Sequence, residues 1–256
     1  SPNKDLALLK SGTTIQLFDF QKYDFVNQTQ RVWGENIGDL SWAPDNSKIA
    51  YFYAPPTGER SIVFSNLDNS VMTRVLNLNE IDYNIQNPLL RWSPDSRWLL
   101  LIPRGKPYSD NKIFIFDSYT NSLKALTENG DQIEAKFSPD SKKIIYSTYS
   151  QDINSSVPYI VSVMNLDGSN QYSLDLRVDL SRVIWKNDSR NILVSEVNQE
   201  TGLGYISVFD TKLIQKNSSF LVLPDQKEAI LLQISNDDKM FTYQTKDGIY
   251  ASRLEE

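Results

Sequence analysis

The stretch Trp92-Ser93-Pro94-Asp95-Ser96-Arg97-Trp98-Leu99-Leu100-Leu101 recurs, with small changes, along this chain of 256 residues. Residues Phe137 to Tyr146 read F-S-P-D-S-K-K-I-I-Y, and Trp42 to Tyr51 read W-A-P-D-N-S-K-I-A-Y. Weaker copies are W-K-N-D-S-R-N-I-L-V at Trp185 to Val194 and I-S-N-D-D-K-M-F-T-Y at Ile234 to Tyr243. A sixth, S-P-N-K-D-L-A-L-L, opens the chain at Ser1. All six align without a gap. Their Pro/Asn column is Pro2, Pro44, Pro94, Pro139, Asn187 and Asn236, at intervals of 42, 50, 45, 48 and 49 residues.

Each copy has the same physical logic. An alternating strand ends in an aromatic (Trp42, Trp92, Phe137, Trp185) and meets a turn whose Pro presets φ. The following Asp (Asp45, Asp95, Asp140, Asp188, Asp237) is placed to accept turn amides. A second, apolar strand begins at Ile49, Leu99, Ile144, Ile192 and Phe241. A third follows at Ile15 to Phe18, Ile62 to Phe64, Ile113 to Phe116, Tyr159 to Val163, Tyr205 to Phe209 and Ile249 to Ala251. A fourth is more polar, as at Met72 to Leu76, Ser122 to Leu126 and Phe220 to Leu223, which fits an edge that water must blunt. Four short strands per period of this length predict an all-β, six-bladed β-propeller of four-stranded antiparallel blades around a central channel.

Composition removes whole classes of chemistry. With no Cys, the chain holds no disulfide, thiolate nucleophile or Cys zinc site; with no His, it holds no Ser-His-Asp triad and no imidazole base. The reading assigns no cofactor, no metal and no catalytic residue, so the chain is read as more plausible in binding than in catalysis. The formal net charge is -6 and the longest basic cluster is Lys142-Lys143, which argues against a nucleic-acid partner. No run approaches the 18 or more apolar residues of a membrane span. Four N-x-S/T sites, at Asn27, Asn154, Asn187 and Asn217, match what abundant Asn produces by chance.

The W-S-P-D-S-R and F-S-P-D-S-K motifs resemble the repeat of TolB-type propellers, whose pattern is roughly W-S-P-D-G-K followed by an apolar strand. The resemblance spans essentially the whole chain. It departs in the turn glycine, whose column holds Asn46, Ser96, Ser141, Ser189 and Asp238. The resemblance implies several roles. TolB is a periplasmic envelope protein that binds other proteins, and the same repeat forms the non-catalytic propeller of prolyl-oligopeptidase-type and dipeptidyl-peptidase-type serine peptidases. From it we expect a periplasmic, cell-surface or secreted monomer, a single domain over residues 1–256 that binds a protein or peptide. The alternatives are the propeller of a serine peptidase and a carboxylate-dependent hydrolase or lyase. Because the first copy begins inside its turn and the last stops after its third strand, we expect incomplete end blades and a native chain extending N-terminally.

Function in such a repeat belongs to loops that differ between copies. The first-to-second-strand turns are uniform, and the shared Asp column is read as structural. The second-to-third-strand loops, Ala54 to Arg60, Pro103 to Asn111, Tyr149 to Pro158 and Val197 to Gly204, are dissimilar. With the fourth-to-first connections, they carry Asp39, Glu80, Asp82, Glu128, Glu134 and Asp179. Candidate contacts are Trp33, Glu35, Tyr83, Arg104, Tyr108 and Asp131, since large aromatics and Arg dominate binding hot spots. The acidic balance of this face predicts a partner segment carrying Lys or Arg.

Overall fold

The computed structural model describes residues 6–11, 14–22, 24–25, 36–67, 69–81, 85–102, 104, 111–128, 131–150, 159–198, 200–223 and 229–254. Among them lie 22 strands and one 3-10 turn, Leu180–Arg182. The chain divides into two compact units, Ser1–Gly130 and Asp131–Glu256.

The first unit holds three sheets, each an antiparallel meander in chain order. They are β1 (Leu6–Ser11), β2 (Thr14–Asp19) and β3 (Asp24–Phe25); β4 (Ile37–Trp42), β5 (Ile49–Tyr53), β6 (Ser61–Ser65) and β7 (Met72–Asn77); and β8 (Leu89–Trp92), β9 (Trp98–Ile102), β10 (Phe114–Asp117) and β11 (Ser122–Ala125). The second unit continues with β12 (Gln132–Phe137), β13 (Lys143–Tyr149), β14 (Tyr159–Asn165) and β15 (Tyr172–Leu176). Then come β16 (Val183–Trp185), β17 (Asn191–Val197), β18 (Gly204–Asp210) and β19 (Gln215–Leu223), and last β20 (Ile230–Ile234), β21 (Met240–Thr245) and β22 (Gly248–Arg253). Each repeat is thus one sheet, and the first and last have three strands among the described residues. The fourth strand of the fifth repeat is longer than its apolar stretch Phe220 to Leu223. It begins at Gln215 because pairing with β18, carried across two register shifts, holds the polar residues in the ladder.

Period-two alternation sends successive side chains of the middle strands to opposite faces, and in the second to fifth sheets both faces are buried. From β5, Ala50 and Phe52 join Leu90, Trp92, Leu99 and Phe116 of the next sheet, while Ile49 and Tyr51 pack with Ile15 of the preceding one. From β17, Ile192 and Val194 join Ile145, Val161 and Val163 of the preceding sheet, while Leu193 joins Leu231 and Phe241 of the following one. This explains why the second strands read as continuous apolar runs. Gly38, at the bulge between Ile37 and Leu40, has no room for a side chain. A Cβ there would lie 2.6 Å from the Phe52 ring and 2.7 Å from Asn87 Oδ1.

The aromatic before each turn belongs to this inter-sheet core. Trp92 is 8% exposed and Trp185 5% exposed, and the indole N–H of Trp92 donates to the Ser41 carbonyl of the neighbouring sheet at 3.1 Å. Trp42 stays half-buried at the margin of its cluster.

The turns repeat in atomic detail. Asp45, Asp95, Asp140, Asp188 and Asp237 each accept the amide two residues on, at 2.8–3.1 Å. Burial works against the charged form at Asp45, Asp140 and Asp188, yet these hydrogen bonds outweigh it and hold the carboxyls below their ordinary value. Ser138 and Ser235 each donate to the turn Asp at 2.6 Å and accept the amide five residues on at 2.9 Å.

The column that holds Gly in the family pattern has φ of +55° to +62° at Asn46, Ser96, Ser141, Ser189 and Asp238, the left-handed region Gly tolerates best. The side chains there have a use that Gly lacks. Ser96 Oγ accepts the Asp45 amide of the neighbouring turn at 3.0 Å, Ser189 Oγ accepts that of Asp140 at 2.9 Å, and Asp238 Oδ1 accepts that of Asn187 at 3.0 Å. A second column also reaches across. Lys48 Nζ lies 5.1 Å from the Trp92 ring centroid, and Lys143 Nζ donates to the Ser189 carbonyl at 3.1 Å.

The third strands end in another recurring device. Asp117 receives Arg97 at 2.8 Å and Asp210 receives Arg190 at 2.6 Å, each pair joining the turn before the second strand to the end of the third strand of the same sheet. The Arg97 guanidinium holds the Asp117 carboxyl down at about 2.

Replacing Trp92 or Trp185 by Ala should cost about 3–5 kcal/mol, with a smaller loss at half-buried Trp42; denaturant unfolding of the three variants measures this. For Ser96, Ala should cost about 1–2 kcal/mol through the lost inter-turn hydrogen bond, while Gly should cost less because it relieves the positive φ. Equal losses for both would show that the positive φ carries no strain, and no loss in the Ala variant would show that the hydroxyl contributes nothing. Because the folded pKa of Asp117 is depressed, its ion pair stabilises above the unfolded value near 3.9. That contribution disappears as pH falls through about 2. Melting temperatures measured from pH 5 downward should therefore fall less steeply in Asp117→Asn than in the parent chain.

Candidate functional site

A meander of four strands places its first-to-second and third-to-fourth turns at one end and its second-to-third loop at the other. The connection into the next sheet leaves from that second end too. The turn end is closed by the hydrogen bonds just described. The loop end carries the dissimilar segments, so the site is sought there in each unit.

Of the six candidate contacts, Trp33, Glu35, Tyr83 and Tyr108 lie outside the described residues. Arg104, in the first unit, is described, and its guanidinium stands 3.5 Å from Asp39 Oδ1. Asp39 lies on β4, and its other oxygen accepts the Leu90 amide of β8 at 2.8 Å and faces Arg91 at 3.4 Å. One carboxylate therefore ties two first strands together and faces two guanidinium groups. The acidic reading of the loop end does not distinguish such a neutralised Asp from an open one.

Asp131, in the second unit, precedes β12 with φ +78°, and its carbonyl accepts the Tyr149 amide at 2.9 Å. Its Oδ1 is buried with no hydrogen-bond partner among the described residues.

The second unit also contains a groove that sequence reading did not single out. It has a volume of about 530 Å³ at the loop end of the fifth sheet. One wall comes from the connection after β15, where Arg177 and Arg182 line the groove. That connection is shaped by Asp179, whose carboxylate accepts the Ser181 amide at 2.8 Å and caps the 3-10 turn. Lys136 of β12 secures the same turn by donating to the Leu180 carbonyl at 2.6 Å and the Val183 carbonyl at 3.0 Å. The other wall is the end of β17, its loop and the start of β18, with Glu196, Asn198, Glu200 and Tyr205. Asn198 orders the loop by accepting the amides of Glu200 and Thr201 at 2.9 and 3.0 Å.

Glu196 and Tyr205 are direct cross-strand partners, and both are engaged by Lys216 of β19. The ammonium lies 2.7 Å from Glu196 Oε2, donates to the Tyr205 hydroxyl at 2.7 Å and sits 4.4 Å from the Tyr205 ring centroid. Burial works against the Lys216 charge, yet the bonds to Glu196 and Tyr205 outweigh it and raise its pKa. The loop Val197 to Gly204 and Asp179 were visible in sequence as belonging to the loop end. The convergence of Arg177 and Arg182 with them was not, because it depends on the 3-10 turn. The one available signal was the pair of arginines in R-V-D-L-S-R, residues 177–182.

No family model matches the sequence, and no curated protein matches it. Solved structures do. TolB from Acinetobacter baumannii is 17% identical over 97% of this chain, with a TM-score of 0.59, and this chain spans 60% of that one. An oligogalacturonate lyase from Vibrio parahaemolyticus is 11% identical over 99% of this chain and 73% of its own, with a TM-score of 0.73. The β-propeller domain of the Trilobed protease from Pyrococcus furiosus is 15% identical over 96% of this chain and 76% of its own, with a TM-score of 0.60. At these identities the likeness concerns fold. Repeat, strand order and structural likeness agree that the chain has the fold of a TolB-like β-propeller, with its six sheets as the blades.

Proposed function

We propose that this propeller is a non-enzymatic binding module that takes a protein or peptide partner at the loop end of its blades, in a periplasmic, cell-surface or secreted setting. The observation that carries this reading is the contrast between the two ends of the sheets. At the turn end, carboxylates and amides are consumed within each turn or by the next one, and the sequences are nearly alike. At the loop end, Arg104 and the groove beside Arg177 present charged and aromatic side chains in segments that differ between blades. Specific recognition needs such differences. A second reading, the propeller of a serine peptidase, draws on the likeness to the Trilobed protease propeller domain. The chain itself has no His to serve a nucleophile, so that chemistry would belong to another domain. A peptidase domain in the parent reading frame would favour it.

The test is capture of a partner from envelope extract by the tagged chain, followed by charge reversal. Arg104→Glu, Glu35→Lys and Asp131→Lys should weaken binding, while Asp45→Lys and Asp140→Lys at the turn end should leave it intact in variants that still fold. Binding lost only in the turn-end variants would assign the wrong end. Turnover of a glycan or peptide by the isolated chain would overturn the binding reading.

A further inference from the structure

We infer that Met72 is a site of reversible oxidation by peroxide, and that the Tyr51 hydroxyl, by holding one side of its sulfur, directs the oxygen to the other and so fixes which sulfoxide epimer forms. The inference goes beyond the binding reading and holds at whichever end of the blades a partner docks.

With no Cys, the sulfur of this chain is that of three methionines, Met72, Met164 and Met240. Their surroundings separate them. Met164 is fully buried on β14, Met240 is 37% exposed and Met72 is 59% exposed. Oxidation of a side-chain sulfur follows its access to the oxidant. Met72 also opens β7, the outer strand of the second sheet, whose first three residues are exposed. A peroxide and a repairing reductase can therefore both reach it.

One side of the sulfur is occupied from within the protein. Tyr51 Oη donates to Met72 Sδ at 3.2 Å. The Tyr51 side chain is itself buried, packed with Ile15, Ile49 and Val63. Burial pushes its phenol up to about 12, so it stays protonated and keeps its proton to donate. The bond reaches across a strand. Tyr51 stands opposite Val63 of β6, and Met72 stands opposite Ser65 of the same strand. Ser65 pairs with Ile49, at the start of the second strand; in the same place Phe116 pairs with Leu99 and Phe209 with Ile192. A ring at position 65 would fill the space that the Tyr51 phenol crosses. The small residue leaves it open.

The chemistry follows from this geometry. A thioether sulfur has two lone pairs, and one of them accepts the Tyr51 proton. The other attacks one oxygen of the peroxide. The S–O bond forms as the O–O bond breaks, and the departing hydroxide takes the proton of the transferred hydroxyl and leaves as water. Sulfur gives up two electrons and the peroxide gains them. The sulfoxide is chiral at sulfur, and each epimer is reduced by a different methionine sulfoxide reductase. Attack from the solvent side alone yields one epimer.

The folded full chain treated with hydrogen peroxide, then digested and mapped by mass spectrometry, tests this. Met72 should oxidise first, Met240 later and Met164 last. Of the two epimer-specific reductases, one should clear nearly all of the Met72 sulfoxide from the digest and the other almost none. In Tyr51→Phe, each should clear about half. If that variant unfolds, the parent chain oxidised in denaturant replaces it and should give the same even division. The inference is overturned if Met240 or Met164 oxidises ahead of Met72, or if the folded parent yields both epimers in similar amounts. It is also overturned if folded Tyr51→Phe keeps the single epimer of the parent.

Discussion

A four-stranded sheet with apolar side chains on both faces cannot be stable alone, and among the described residues there is no α-helix to cover one. The second strands β5 and β17 are such cases: Ile49 and Ala50 point to opposite neighbours, as do Ile192 and Leu193. Among the described residues the cover is another sheet of the same kind. Stacking of one repeat on the next is therefore the source of stability, and the remaining features of the repeat serve it. The aromatic before the turn fills the space between sheets. The turn, lying at the rim of that contact, is held to its neighbour through a hydroxyl or carboxylate at the left-handed position.

That last feature gives a physical meaning to a departure from the TolB pattern. Gly is the least strained residue at φ near +60°, and the chain does without it in five turns. Ser96, Ser189 and Asp238 accept amides from the adjoining turn that a Gly would leave to water. The backbone cost of a non-Gly residue in this region is on the order of 1 kcal/mol, similar to one hydrogen bond. The exchange is near neutral in energy but adds a specific contact between neighbours, which helps to set their register.

The same stacking leaves the two ends of each sheet with different freedom. The turn end is committed to inter-sheet bonds, so its sequence is constrained in every repeat. The loop end is not, and its segments diverge without harm to the core. The charged groups there are partly absorbed into structure. Asp39 joins β4 to β8 and meets two arginines, and Glu196 is matched by Lys216.

The repeat period, the strand count and the alternation were legible from residues alone because they are one-dimensional. A gapless W-S-P-D column and period-two apolarity require no knowledge of neighbours. The aromatic column before the turn was legible in the same way, and the absence of His and Cys limited the chemistry of the chain. What sequence left undecided was every contact made between distant segments. The half-burial of Trp42, the capture of Asp39 by Arg91 and Arg104, and the pairing of Glu196 with Lys216 depend on which strands lie side by side. The start of β19 at Gln215 belongs with them, because hydrogen bonding to β18 rather than apolarity extends that strand. The groove beside Arg177 and Arg182 exists only because a capped 3-10 turn brings one inter-sheet connection against the loop of the next sheet. Sequence alone determined what each repeat must bury; the tertiary structure decided which charged groups meet at its open end.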